Sequence, residues 1–593
     1  MKTEELLQQA QRHVKETQRS LRDELSIVIQ RQKELEIQYA QSSGSEKIVT
    51  DTLLQHNKKR EFEIQILIPS PYFARCDVSI QGVDQTFFVG KFSFLQERVV
   101  SWVSSIAAVR FSPVGNTSYK TPKLENKSLK LLRKDEYVIR DGSIVFFVIE
   151  DLDIPRTLVY QEHFSNRKTG FVLPEIVSKM EQAQDTVIRS SWRGPMVISG
   201  PAGSGKTTLA LHRIAYLLQS PETTEWFPGH KVRVFVQDVG TKAYFSALLP
   251  ELGITNVAIT TFFDWACNVL ELSDVSSSVL NQEEVVEDMI RIQKLDILRN
   301  EIGECVLGDN AFDCLYDLYA CLFQTHKDIV IERLKASQLD DVDLTILLTL
   351  ARKKTQVLIE TKEYLVQKKN FEVQRKMGRF PIEYQLCVVD EFQNYLPEQI
   401  QLFRDCVGSE TEAMVYVGDM KQQTKFGTIR SWDEIDEVVR DERTIVLEKV
   451  YRNTQEILRY IQRLGYVIDV PDALPVGDVV QELADTEETI QFVHSFVSTH
   501  TDRLIGILAK HVDKLLPYKD MRTLSHVKVL TIQEAQGVEF DTVFLVGNTE
   551  DTWCVGDTTL SAEQKKEKEH INRDLLYVGL TRAMRELYVV GQM

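Results

Sequence analysis

Gly200-Pro201-Ala202-Gly203-Ser204-Gly205-Lys206-Thr207 has the spacing G-x-x-x-x-G-K-[ST]. Glycines at those positions let backbone N–H groups close around phosphate oxygens, and a following helix adds positive potential. Lys206 can reach the β and γ phosphates, and Thr207 can ligate Mg²⁺. Thr208 completes the nucleotide-binding set. A second constellation is Cys387-Val388-Val389-Asp390-Glu391-Phe392-Gln393, an apolar strand ending in two carboxylates. Asp390 can hold Mg²⁺ at the strand end, and Glu391 can take a proton from an attacking water. Gln422, in Val417-Gly418-Asp419-Met420-Lys421-Gln422, can sense a terminal phosphate. Arg452 and Arg582 can bring the positive charge that phosphoryl transfer needs. Taken one at a time, an arginine is a surface charge and an acid pair is common.

These groups need elements to hold them. Pro195 to Ser199 is apolar enough for a buried strand, and apolar residues recur at helical spacing after Thr207. Strands are expected at 232–237, 257–261, 385–389, 413–417, 444–447, 527–531 and 542–546, alternating with helices, which predicts parallel α/β layers. The fold class expected is α/β, with a helical insertion at 266–380 and two layers that part near 430–450. Ahead of them, Leu7, Val14, Leu21, Val28 and Leu35 fall seven apart, marking one helix with a narrow coiled-coil seam. Gln41 to Ser45 is a turn, and a second helix from Glu46 to about Glu61 can return along the first. Residues 64–170 read as a small β-rich module, with strands at 64–68, 76–80, 86–89 and 144–149.

The composition sets limits. The chain has 593 residues, 43% hydrophobic and 26% charged, too long for one core. A net charge of −17 disfavours a broad basic face that coats nucleic acid, but leaves room for a narrow basic channel. The eight cysteines include no C-x-x-C pair, so thiols in a reducing compartment are expected. No apolar run reaches the ~18 residues of a membrane span. The opening Met1-Lys2-Thr3-Glu4-Glu5 is not a signal peptide, so a cytoplasmic protein is expected, without a membrane partner.

Gln184, the phosphate loop, Asp390 to Gln393, Gly418-Asp419 with Gln422, Tyr451-Arg452, Gly537 to Asp541 and Leu576 through Ala583 follow in one order. That series resembles UvrD/Rep-type superfamily 1 helicases over 171–593. The resemblance implies two RecA-like domains, with ATP and Mg²⁺ between them. It implies that Gln184 reads adenine, Glu539 the ribose, and Arg452 and Arg582 the γ-phosphate. The stretch from Ala210 to Leu218, Leu249 to Gly253, Ser431-Trp432 and Pro71 to Arg75 is similar to the HelD branch, helicase-like motors that bind bacterial RNA polymerase. Three departures stand out. Gln533 and Gln536 replace a histidine and a lysine, Ser101 to Ser105 replaces Asp-Trp-Arg-Ala-Pro, and no aromatic follows directly on Gln422.

The divisions expected are a helical arm at 1–63, the β-rich module at 64–170, a first RecA-like domain at 171–265 and 381–435 around the insertion, and a second at 436–593 with a reduced insertion about 460–525. The activity expected is ATP hydrolysis coupled to remodelling of nucleic acid or RNA polymerase complexes, by a monomer. Partners would be DNA, single-stranded or at a junction, or the polymerase core. Two alternatives are a conventional 3′–5′ DNA helicase and a polymerase-binding factor that uses ATP as a conformational switch.

Overall fold

The computed structural model describes residues 2–120, 126–151, 157–161, 182–200, 204–254, 256–277, 284–305, 307–308, 310–367, 373–420, 422–447, 453–468, 470–472, 474–536, 538–556 and 560–591. Its working core is two parallel sheets. The first runs Ala258–Thr261, Val232–Val236, Leu386–Asp390, Ala413–Gly418, Met196–Ser199 and Thr444–Val446 in spatial order. Every pairing in it is parallel. The second runs Gln481–Leu483, Ala583–Val590, Phe540–Leu545, Ile505–Ala509 and Val527–Thr531, again parallel throughout. Leu386 to Asp390 and Ala413 to Gly418 are buried at every position, which is why these strands read as unbroken apolar runs.

The two N-terminal helices, Lys2–Gln41 and Gly44–Leu67, pack against each other. Val14, Leu21, Val28 and Leu35 are buried, as the seven-residue spacing requires. The second helix continues through the stretch expected to be a strand at 64–68. Ile64 and Leu67, three apart, are both wholly buried, so helical spacing wins over the local β preference. The base of the hairpin is fastened to a seven-stranded, largely antiparallel sheet between Ala74 and Gln161. Gln11 bonds Gly142 and Ile144, Gln18 donates to the Ile68 carbonyl, and His13 stacks on Phe88.

Three other expectations need correcting. The segment expected to be helical through 380 ends in an antiparallel β-ribbon, Ile359–Gln367 against Val373–Pro381. Thr444–Val446 adds to the first sheet beside Met196–Ser199, so that sheet extends past residue 435. Ile505–Ala509, inside the expected reduced insertion, is an interior strand of the second sheet. In each case long-range pairing decides, and local composition does not report it.

Candidate functional site

The strand Met196–Ser199 ends at Gly200, and the helix Lys206–Gln219 begins at Gly205. Gly205 has φ +87°, a conformation that glycine adopts without steric cost. At Gly200 a Cβ would stand 2.5 Å from the Leu447 carbonyl oxygen, so only glycine fits between the loop and the neighbouring strand. Lys206 is buried, and its Nζ donates to the Gly200 carbonyl at 2.8 Å. The Ser204 hydroxyl is also buried and meets no hydrogen-bond partner among the described residues. A buried, unpaired hydroxyl beside a lysine, at a helix start, fits an anionic ligand. Pro201, Ala202 and Gly203 lie outside the described residues, as does Arg452.

Opposite the loop stands the acid pair. The Thr207 hydroxyl donates to Asp390 Oδ1 at 3.3 Å. Burial and the neighbouring Glu391 charge push the Asp390 carboxyl up to about 8, against the pull of Lys206 and Thr207. A carboxylate that lacks enough compensating charge suits a divalent cation, which Asp390 and Thr207 could hold together. Glu391 sits at φ +49°, ψ +47°, left-handed for a residue with a Cβ, at the start of the short helix Phe392–Asn394. Such strained positions cluster at functional sites.

Gln393 connects this acid to the next loop. Its Nε2 donates to Glu391 Oε2 at 2.6 Å, and its Oε1 accepts from the Asp419 N–H at 3.0 Å. Gln422 in turn donates to Asp419 Oδ2 at 2.9 Å. One chain of contacts thus runs from Glu391 through Gln393 and Asp419 to Gln422. It continues into the second sheet's layer, where the Gln423 N–H donates to Asp574 Oδ2 at 2.8 Å. Asp574 lies on the helix Ala562–Thr581, which leads directly into Arg582. Seven residues earlier on that helix, Glu567 accepts the Gly427 N–H at 3.0 Å and pairs with Arg430. Two carboxylates two turns apart therefore grip the backbone of one loop. Burial, with the Asp419 charge adding to it, pushes the Asp574 carboxyl up to about 7. Between them Lys568 pairs with Glu284 and Asp288 of the insertion helix Glu284–Asp296.

The departures noted in the sequence also fall here. Gln536 Oε1 accepts from Asn394 at 3.1 Å, and Gln533 donates to the Thr424 carbonyl at 3.3 Å. Neutral amides thus bridge the layers where a histidine and a lysine were expected. Arg582 is buried, donating to the Val578 and Val538 carbonyls at 3.2 and 3.4 Å, one residue from Glu539. Glu539 is half-buried at the start of Phe540–Leu545. Gln184 is half-buried on the helix Gln182–Ile188, and Thr208 lies in the first turn after the loop. Sequence reasoning passes over Asp574 and Glu567, for which the one available signal is their spacing of seven on a helix.

Residues 478–592 match the UvrD-like helicase C-terminal domain. The matched stretch takes in the second parallel sheet and the helix leading into Arg582. The ATP-dependent DNA helicase PcrA of Staphylococcus epidermidis (strain RP62A) is 24% identical over 311 residues, covering 48% of this chain and 39% of PcrA. The putative ATP-dependent DNA helicase YjcD of Bacillus subtilis (strain 168) is 37% identical over 116 residues, 19% of this chain and 14% of YjcD. The chain thus spans about two-fifths or less of the length of these relatives. A solved C-terminal domain of a possible DNA helicase from Lactobacillus plantarum WCFS1 is 20% identical, covering 24% of this chain and 88% of its own, at a TM-score of 0.17.

Proposed function

We propose that the chain is an ATP-hydrolysing motor of the UvrD-like superfamily 1 type, with two RecA-like domains that use ATP to act on DNA. The observation that carries the reading is the run of contacts from Glu391 through Gln393 and Asp419 to Gln422, continued from Gln423 to Asp574 on the helix before Arg582. It couples a candidate catalytic acid in one sheet's layer to the other layer. In this reading Lys206 and the amides of the loop bind the phosphate tail. Thr207 and Asp390 would hold Mg²⁺, which when bound neutralises charge on the phosphate oxygens. Glu391 takes the proton of the attacking water, in an orientation set by Gln393. Gln422 faces the terminal phosphate, Gln184 the base and Glu539 the sugar. Arg582, with Arg452 by resemblance, brings positive charge from the second domain. The test is the rate of ATP hydrolysis alone and with single-stranded DNA. Stimulation that disappears in Lys206→Ala supports the reading; undiminished turnover in that variant sinks it.

A narrower reading places the chain in the HelD branch, with RNA polymerase as partner. What favours it is the outer part of the helical hairpin. Leu35, Thr50 and Leu54 close the seam between the helices, while Ile37, Ile48, Val49 and Leu53 are exposed. Co-sedimentation with polymerase core, lost on Ile48→Glu and Val49→Glu, would separate this branch from a conventional helicase.

A further inference from the structure

The β-ribbon Ile359–Gln367/Val373–Pro381 forms a sheet of its own, in unbroken register from Ile359 opposite Pro381 to Gln367 opposite Val373. At ~3.3 Å per residue, nine paired residues reach ~30 Å. An isolated two-stranded ribbon is marginal by itself, so one that exposes this much side chain invites a functional explanation. We propose that this ribbon is a contact for single-stranded nucleic acid.

The register decides which side chains share a face. Lys362 lies opposite Gly378 and Tyr364 opposite Lys376, with Phe380 one step along the same face. Tyr364 and Phe380 meet edge to face, centroids 5.4 Å apart at 83°, and Lys362 Nζ stands 5.3 Å from the Phe380 ring. Gly378 is what lets the two rings approach: a Cβ there would lie 2.8 Å from Tyr364 and 2.9 Å from Phe380. Tyr364 keeps 38% of its surface exposed, and Lys376 is exposed beside it. On the opposite face Arg375, Arg379 and Met377 are exposed, Met377 by 66%.

Charge points to the class of partner. The chain carries −17, yet the paired strands 359–367 and 373–381 hold four Lys or Arg against two Glu. Glu360 pairs with Lys362 at 3.0 Å and Glu363 with Arg375 at 3.5 Å, which leaves Lys376 and Arg379 exposed and outside those pairs. A local cationic element on an acidic protein is complementary to a polyanion. Aromatic faces interleaved with cations are the pattern that holds single strands, because every base offers a π face. At the ribbon's foot Glu360 joins Arg233, Thr260, Asp264 and Asn268 around a cleft of about 240 Å³. Asp264 there is paired with Lys242 at 2.8 Å and the Thr260 hydroxyl donates to the Thr261 carbonyl at 3.1 Å, which leaves Arg233 and Asn268 as donors toward a base or sugar. The cleft borders Ala258–Thr261, the edge strand of the first sheet, so the ribbon delivers a strand to the motor.

The proposal deepens the motor reading for its use, but the binding stands on the ribbon alone. The experiment is fluorescence anisotropy of labelled dT20 and U20 with the full chain, for wild type, Tyr364→Ala and Lys376→Glu/Arg379→Glu, alongside ATP hydrolysis without oligonucleotide. Expected is a rise in Kd of ~10-fold for the stacking variant. The charge variant should weaken binding further and flatten the log–log salt dependence by ~1.4, about 0.7 for each phosphate left without its cation. Basal hydrolysis and thermal unfolding should stay unchanged, and the stronger of the two oligonucleotides names DNA or RNA. Wild-type affinity in both variants overturns the proposal and leaves a protein partner as the ribbon's use. Wild type that hydrolyses ATP but binds neither oligonucleotide overturns it while the ATPase reading stands.

Discussion

Gly418→Ala should disable hydrolysis without unfolding the protein. Gly418 is buried at the end of Ala413–Gly418, and a Cβ there would come 2.0 Å from Gln393 Oε1 and 3.1 Å from the Phe392 amide nitrogen. The backbone at φ +155° also disfavours a side chain. The Gln393 amide is the movable party and must leave. It then loses its bond to the Glu391 carboxylate at 2.6 Å and to the Asp419 N–H at 3.0 Å. A bond to a charged group contributes ~1.5–3 kcal/mol and a neutral one ~1, together ~2.5–4 kcal/mol. If that order is needed in the transition state, kcat falls ~10²–10³-fold. The assay is steady-state phosphate release, with circular dichroism and a thermal scan to show the fold intact. Gln393→Ala should give a similar loss, and the double variant should be no worse than either, since both break one chain of hydrogen bonds. A folded Gly418→Ala protein with kcat within threefold of wild type would refute the reasoning.

Two further perturbations probe the junction of the layers. Lys568→Met leaves Asp288 without its ammonium partner, while Glu284 keeps Lys510 at 3.1 Å, at a cost of ~1–3 kcal/mol. The first thermal transition should fall, and adding Asp288→Asn should restore part of it; no fall would mean the junction does not rest on this cluster. The second perturbation is pH. Asp574, pushed up to about 7 by burial and by Asp419, holds a proton in the folded chain that the unfolded chain releases near ordinary aspartate values. Its stability contribution is therefore full below pH ~4 and lost as pH rises through ~7, about 1–2 kcal/mol after allowing for solvent screening. Asp574→Asn should match wild type in thermal scans at pH 4 and exceed it at pH 8; parallel curves would contradict the assignment.

The sequence tells most where chemistry and local structure coincide. The Gly-rich turn between a buried strand and a helix, and the apolar strand ending in Asp390 and Glu391, carry their structure in consecutive residues. Seven-residue spacing likewise reveals the buried seam through Val14, Leu21 and Val28. What stays hidden is set by distant partners. The ribbon at 359–381 is rich in Lys, Glu, Gln and Arg, which read as helix, and only cross-strand pairing such as that of Tyr364 with Lys376 fixes it. Asp574 and Glu567 look like ordinary charges on a solvated helix until the loop at 423–427 is laid against them. Ile505–Ala509 escapes a local reading because its sheet neighbours, Val527–Thr531 and Phe540–Leu545, lie further along the chain.

The central claim is that a nucleotide bound by the 200–207 loop is hydrolysed with help from the second sheet's layer. The most direct test pairs the affinity of a fluorescent ATP analogue with single-turnover hydrolysis in Arg582→Ala, a residue buried at the end of Ala562–Thr581. Retained affinity with hydrolysis lowered ~10³-fold is the result expected of an arginine acting on the transition state. Hydrolysis at the wild-type rate in that variant would contradict it.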